Sequence, residues 1–348
     1  MAGWFNPNES NPARDGFAMP PEWAPHARTW MCWPCRVEVW GGPDGLLRAK
    51  QAYARVARAI SSFEPVVMAA RPHDAAEAKL ACAGKVEVFE TPLDDSWARD
   101  TGPTFLLGGA GRRAGVQWRF NGWGHKYDPV DRDAEFATRV LKRENAAVYP
   151  APFVCEGGAI HVDGERTLIT TEQCLLNPNR NPDLTQQQIE EGLALFTGVR
   201  KVIWLGDGFS DEETDGHVDN IACFVAPGRV VVGVPCSKSH PDFAPAVETI
   251  RRLKEARDAQ GRDIEVVELP QPQKLGNDWR ERLLAASYVN FYLPNGAVVM
   301  PAFDDPNDEK ARAVLADCFP DRDILQVEAL DIVQGGGGIH CITQQEPA

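Results

Sequence analysis

The side chains that could do chemistry sit in four short stretches. The last is "QGGGGIHCITQQEPA", in which Gly335 to Gly338 lead into Cys341 close to the C-terminus. A thiol becomes a nucleophile when it is paired with an acid–base partner, most often histidine. The glycine run lacks the Lys-Ser/Thr of a phosphate loop. It is predicted to enter a strand, "IHCIT", so no helix N-terminus is offered to an anion. Its remaining use is close approach of bare backbone to a ligand. Taken alone, Cys341 could equally be a small buried hydrophobe.

A second stretch is "DEETDGHVDN". Read as extended chain, it puts His217, Asp219 and Asp215 on one side, where carboxylates would keep the imidazole protonated and oriented. The alternative is a solvated acidic loop. His340 adjoins Cys341 but is predicted on the opposite face of its strand. The third stretch, "DDSWARDTGP", gathers Asp94, Asp95 and Asp100 around Trp97 and Arg99, more acids than a structural loop needs. The fourth, "CEGGAI", sets Glu156 before two glycines. A thiol, an imidazole and several carboxylates suit attack on a planar cationic carbon. Two carboxylates would grip a guanidinium by paired hydrogen bonds, the thiolate would attack its carbon, and the histidine would protonate the leaving nitrogen. No HxxxH or paired CxxC supports zinc, and no metal or organic cofactor is expected. "CWPC", Cys32 to Cys35, lies in an apparent strand with no helix directly after it, which argues against a dithiol redox motif.

The elements around these stretches recur in one order. "NIACFVAPGRVVVGVP" reads as a hairpin, "DFAPAVETIRRLKEA" as a helix with Phe243, Val247, Ile250 and Leu253 on one face, and "DIEVVELP" as a strand. The order hairpin, loop, helix, strand fits "YVNFYLPNGAVVMPAF" to "DILQVEAL", and also "GAIHVDGERTLITTE" to "KVIWLG", whose helix opens with a Thr185…Gln188 capping box. It fits "PTFLLGGAGRRAGVQWRF" to "AAVYPAP" and, more loosely, the segment from "RTWMCWP" to "KVEVFETP". Five such units are predicted, at about 29–98, 99–157, 158–218, 219–288 and 289–346. None can bury its own sheet and helix, so they are expected to close on one another within a single α/β domain spanning 1–348.

Composition limits the partners. The 348 residues carry 36 basic and 50 acidic side chains, a formal net charge of −14, which disfavours nucleic acid and anionic membrane. No run of 18 apolar residues is present, and "MAGWFNPNESNPARDG" is too polar for a signal peptide. Nine scattered cysteines fit reduced thiols in a cytoplasmic protein.

"DDSWARDTGP", "EGGAIHVDG", "EETDGHVDN" and "QGGGGIHCITQQ", with "MPPEWAPHARTWMCWP" and "FNGWGHKYD", resemble the motifs of the agmatine deiminases in the guanidine-modifying (pentein) superfamily, from about Met19 to the end. The resemblance implies a five-bladed, pseudo-fivefold α/β propeller and a homodimer. It implies conversion of agmatine, a small cationic guanidine, and water to N-carbamoylputrescine and ammonia in polyamine metabolism. It makes Cys341 the nucleophile that forms an amidino-cysteine, and His217 the general acid and then base. Asp100 and Asp219 would grip the guanidinium, Glu156 would hold His217 or substrate, and Trp97, Asp94 and Gly338 would border the substrate. Two readings stay open beside it: an arginine or peptidyl-arginine deiminase, and a non-catalytic pentein that binds a macromolecular partner.

Overall fold

The computed structural model describes residues 10–210, 213–273 and 276–348. Its strands form five small sheets, four of them mixed and one a parallel pair. The pattern is plainest in the sheet that starts with the hairpin Ala222–Ala226 and Arg229–Val234. Gly228 supplies the positive φ of its tight turn. The chain then crosses in the helix Phe243–Glu255 and returns as Glu265–Pro270, parallel to Arg229–Val234. Val230, Val231 and Val232 are wholly buried, as expected of a strand covered on both faces.

The same order holds for Thr104–Gly108, Arg112–Arg119, the helix Phe136–Arg143 and Ala147–Val154. It holds again for His161–Val162, Thr167–Thr171, the helix Gln186–Thr197 and Lys201–Leu205. The capping box is formed: Thr185 N donates to Gln188 Oε1 at 2.8 Å, and Gln188 N to Thr185 Oγ1 at 3.3 Å. In the sheet of Ala297–Ala302 and Asp323–Glu328, joined by the helix Asp308–Cys318, the expected first hairpin arm shrinks to a single bridge, Tyr292 to Val299.

The last described strand joins the sheet of an early one. Gln344–Pro347 pairs antiparallel with His26–Cys32, which runs parallel to Val66–Ala70, itself parallel to Glu87–Glu90. One hydrophobic core runs from the helix Pro43–Ile60 through Met31 and Met68 to Val298, Met300 and Leu315, so the first and last sheets share their interior. No helix among the described residues is long and apolar enough to cross a membrane.

Two local expectations change. The helix Phe243–Glu255 buries Ala246, Thr249 and Leu253, and leaves Val247 48% exposed. Small residues let the helix sit close to its sheet, a term that a count of large apolar residues does not weigh. The glycine run also does not enter a strand directly. It follows the short helix Leu330–Val333, residues 339–342 form a turn, and the strand begins only at Gln344.

Candidate active site

The four stretches meet at the ends of different sheets. Trp97 precedes a one-turn helix, Ala98–Thr101, whose four residues are all buried. Arg99 Nη1 donates to Gln345 Oε1 at 2.7 Å, its Nε to the His340 carbonyl at 3.3 Å, and its backbone N to the Cys341 carbonyl at 3.1 Å. The guanidinium thus ties the acidic loop to the thiol-bearing turn.

Cys341 is 3% exposed. Its Sγ lies 3.2 Å from Asn290 Nδ2 and 3.6 Å from Asp219 Oδ2. Burial, then the charges of Asp219 and Asp100, push this thiol well above its ordinary value. His217 stands between carboxylates, with Nδ1 3.8 Å from Asp100 Oδ1 and Nε2 3.8 Å from Glu156 Oε2. Burial opposes its charge, but Asp100, the Cys174 thiol and Glu156 together raise it well above the usual imidazole range. Neither ring nitrogen has a hydrogen-bond partner among the described residues.

Each carboxylate is held differently. Asp100 accepts from Gly158 N at 3.0 Å and Trp123 Nε1 at 2.9 Å, and burial raises it despite the pull of His217. Asp219 accepts from His340 Nδ1 at 2.9 Å through Oδ2 and leaves Oδ1 buried and unpartnered. Glu156, wholly buried, accepts from Arg180 Nε at 2.7 Å. Burial resists its ionisation, and the Arg180 guanidinium with His217 holds it below the usual range.

These groups converge on bare backbone at Gly158. A Cβ there would lie 2.5 Å from His217 Nδ1 and 3.0 Å from both Asp100 Oδ1 and Asp219 Oδ2, so no side chain fits. The run near the C-terminus works the same way: a Cβ on Gly337 would meet Trp97 at 2.6 Å, and one on Gly338 would meet Asn290 Oδ1 at 2.4 Å. A narrow cleft with about 20 Å³ of free space lies over the thiol, lined by Trp97, Asp100, Trp123, Tyr127, Glu213 and Cys341 among others. Trp97 stacks on Trp40 at 5.8 Å, which fixes the ring that forms one wall.

The structure therefore brings together Cys341, His217, Asp100, Asp219, Glu156 and Trp97, with Gly338 behind Asn290. It does not bring Asp94, whose carboxylate accepts from Arg132 N at 2.8 Å, beside Asp95 and Asp133 in a separate acidic cluster facing Arg36. Nor does Asp215 join His217. Its φ is +57°, and its carboxylate turns to Lys126 at 2.8 Å and Arg180 at 2.7 Å. The extended reading failed here because a turn, not a strand, precedes Val218–Asn220. His340 likewise does not face away. Sequence inspection missed Asn290, Trp123, Cys174 and Arg180. Asn290 left one signal, a carboxamide inside the apolar run "YVNFYL".

A thiol, an imidazole and a two-carboxylate cradle held among five small α/β sheets define a class, and the chain belongs to the Porphyromonas-type peptidyl-arginine deiminase family, which matches residues 18–347. Within that family its similarity is to agmatine deiminases. It is 45% identical to the agmatine deiminase of Pseudomonas aeruginosa (strain LESB58) over 97% of this chain and 98% of that one. Among solved structures, the agmatine deiminase of Enterococcus faecalis superposes with a TM-score of 0.94 at 38% identity, covering 98% of each chain. A substrate-bound agmatine deiminase of C. jejuni superposes at 0.86 with 27% identity, over 95% of this chain and 96% of that one.

Proposed function

We propose that this chain is an agmatine deiminase, hydrolysing agmatine to N-carbamoylputrescine and ammonia. The observation that carries the reading is the cradle at Gly158, where one imidazole and two carboxylates face a single point beside the thiol. A guanidinium there would satisfy the open Asp219 Oδ1 and neutralise the two charges that hold Cys341 protonated. Substrate binding thus favours the thiolate. Cys341 then attacks the guanidinium carbon, forming a C–S bond while a C=N electron pair moves to nitrogen. The tetrahedral adduct collapses as His217 gives its proton to the leaving amino group, releasing ammonia and an amidino-cysteine. Water, deprotonated by His217, adds to the same carbon, and C–S cleavage returns the thiolate and the carbamoyl product. Glu156 and Asp100 keep His217 charged for the first step.

The five sheets are read as five blades of a pseudo-fivefold propeller in one catalytic domain, with the family's homodimer as its assembly. The mouth of the cleft is less acidic than "DEETDG" implies. Asp94 and Asp215 are turned elsewhere, and Asp211 and Glu212 lie outside the described residues. Glu213 accepts from Tyr127 OH at 2.8 Å and is gripped by Arg280 and Arg282. Both cations thus already hold a carboxylate, and the α-carboxylate of arginine would have to displace Glu213 from them. Agmatine is expected to exceed L-arginine and a C-terminal arginine peptide by at least about 10² in kcat/KM, or ~3 kcal/mol. A side-by-side ammonia-release assay checks this. Comparable rates on arginine or the peptide reject agmatine as the substrate, and silence on all three points to a non-catalytic member.

A further inference from the structure

Behind Asp219 lie three buried groups that the reaction above does not use. Glu22 comes from the N-terminal segment, His161 from His161–Val162, and His340 directly precedes the nucleophile; they are 4%, 6% and 4% exposed. Glu22 Oε1 accepts from Leu293 N at 3.1 Å, and its Oε2 lies 2.8 Å from His340 Nε2 and 3.7 Å from His161 Nε2. The other ring nitrogen of His340 lies 2.9 Å from Asp219 Oδ2. The ligating atoms of the three stand within 4.8 Å of one another, as they would around a metal ion. The tautomers argue otherwise. His161 Nδ1 accepts the Phe224 N–H at 3.3 Å, so its proton sits on Nε2, the atom a metal would need. His340 has an acidic oxygen at each nitrogen, a setting that favours a proton on both.

We infer that Glu22 and His340 form a buried ion relay that fixes the charge and orientation of Asp219, making His340 a positioning residue for the guanidinium clamp. The inference rests on the reading of Asp219 as that clamp. With Oδ2 committed to His340, the carboxylate cannot rotate, and the oxygen left open is Oδ1. Asp219 faces His340, His217 and Arg99 as cations, and Asp100 and the Cys341 thiol as groups that resist a further negative charge. Burial alone would push Asp219 up; its hydrogen bond and proximity to His340 hold it low. His340 in turn faces Glu22, Asp219, His161 and Arg99. Burial and Arg99 press it towards neutrality, and the two carboxylates keep it protonated. Its backbone joins the same unit: N donates to Asn290 Oδ1 at 2.8 Å, and Asn290 Nδ2 touches the nucleophilic sulfur at 3.2 Å. Through His340, the grip on substrate and the placement of Cys341 are one arrangement.

The isosteric variant Glu22→Gln removes the remote charge without changing shape. In the full-length protein it is expected to raise KM for agmatine about 10- to 100-fold, with a smaller change in kcat. Because Asp219 loses the cation that keeps it ionised, the acid limb of kcat/KM should move to higher pH. His340→Gln, which cannot donate to both carboxylates, should do the same more strongly. Nitrogen-15 NMR of labelled histidines gives a readout that needs no substrate: beside His217, a second imidazole protonated at both nitrogens at pH 8, absent in His340→Gln and neutral in Glu22→Gln. A neutral His340 in the wild-type protein, or a folded Glu22→Gln with unchanged KM and acid limb, overturns the relay. Failure of the wild type to release ammonia from agmatine would instead sink the functional reading, and the NMR result would still decide whether the relay exists.

Discussion

At the scale of single residues, the site depends as much on missing atoms as on those present. Gly158 is the sharpest case, because its neighbours on three sides are the His217 imidazole and the carboxylates of Asp100 and Asp219. Gly158→Ala adds one methyl group at the point where the proposed substrate would come nearest. His217, Asp100 and Asp219 would have to part, and displacements of about 1 Å in such a constellation cost on the order of 10²-fold in rate. The expected outcome is kcat/KM down by at least that factor, with a melt lowered by the overpacking but still cooperative; activity within about threefold of wild type would mean that the cradle is not where substrate sits. Residue types announced the site's members more readily than its geometry. Cys341, His217, Glu156, Asp100 and Asp219 stood out as charge or thiol beside bare backbone. Asp94 and Asp215 carried the same outward signal but were drawn off by Arg132, Lys126 and Arg180, partners distant in sequence or hidden by a turn.

At the scale of elements, periodicity and turn chemistry made most hairpins, helices and return strands legible in the sequence. What it could not convey was pairing between the two ends. Gln344–Pro347 looks like a frayed tail, yet all four of its residues are buried and it completes the sheet of His26–Cys32. Glu346, wholly buried, accepts from Trp30 Nε1 at 2.8 Å and meets Arg28 and Arg113, while Gln345 holds Arg99. Ending the chain at Thr343 keeps every proposed catalytic side chain but removes these anchors. Stranding buried charges in this way costs roughly 3–5 kcal/mol. The truncated protein is expected to melt well below wild type and to release no ammonia from agmatine. Full activity would show that the turn carrying Cys341 holds itself in place.

At the scale of the whole molecule, not every buried acid serves catalysis, and the others govern stability. Asp95 has one oxygen on Ser96 N at 2.9 Å, another unpartnered, and Arg36 only at 3.8 Å. Burial pushes it up to about 7, against the pull of Arg36 and Ser96. Because the folded value lies above the unfolded one, its contribution is fully present below about pH 4 and is lost as pH rises through about 7. Asp95→Asn should therefore stabilise the protein by roughly 2–3 kcal/mol more at pH 8 than at pH 5, read from urea midpoints at the two pH values. Equal shifts would mean that Asp95 is ionised throughout.

The pairing of Gln344–Pro347 with His26–Cys32 also has a meaning in time. The strand beside Cys341 is made after all the other described strands and must find a partner among the first of them, a pairing of nearly maximal sequence separation. Every intervening sheet can form on the growing chain before it, since folding units upstream need not wait for those downstream. A polypeptide made only as far as the fourth sheet would therefore present the imidazole and the carboxylates without the sulfur, and the proposed site would be complete only once Gln344–Pro347 had met His26–Cys32.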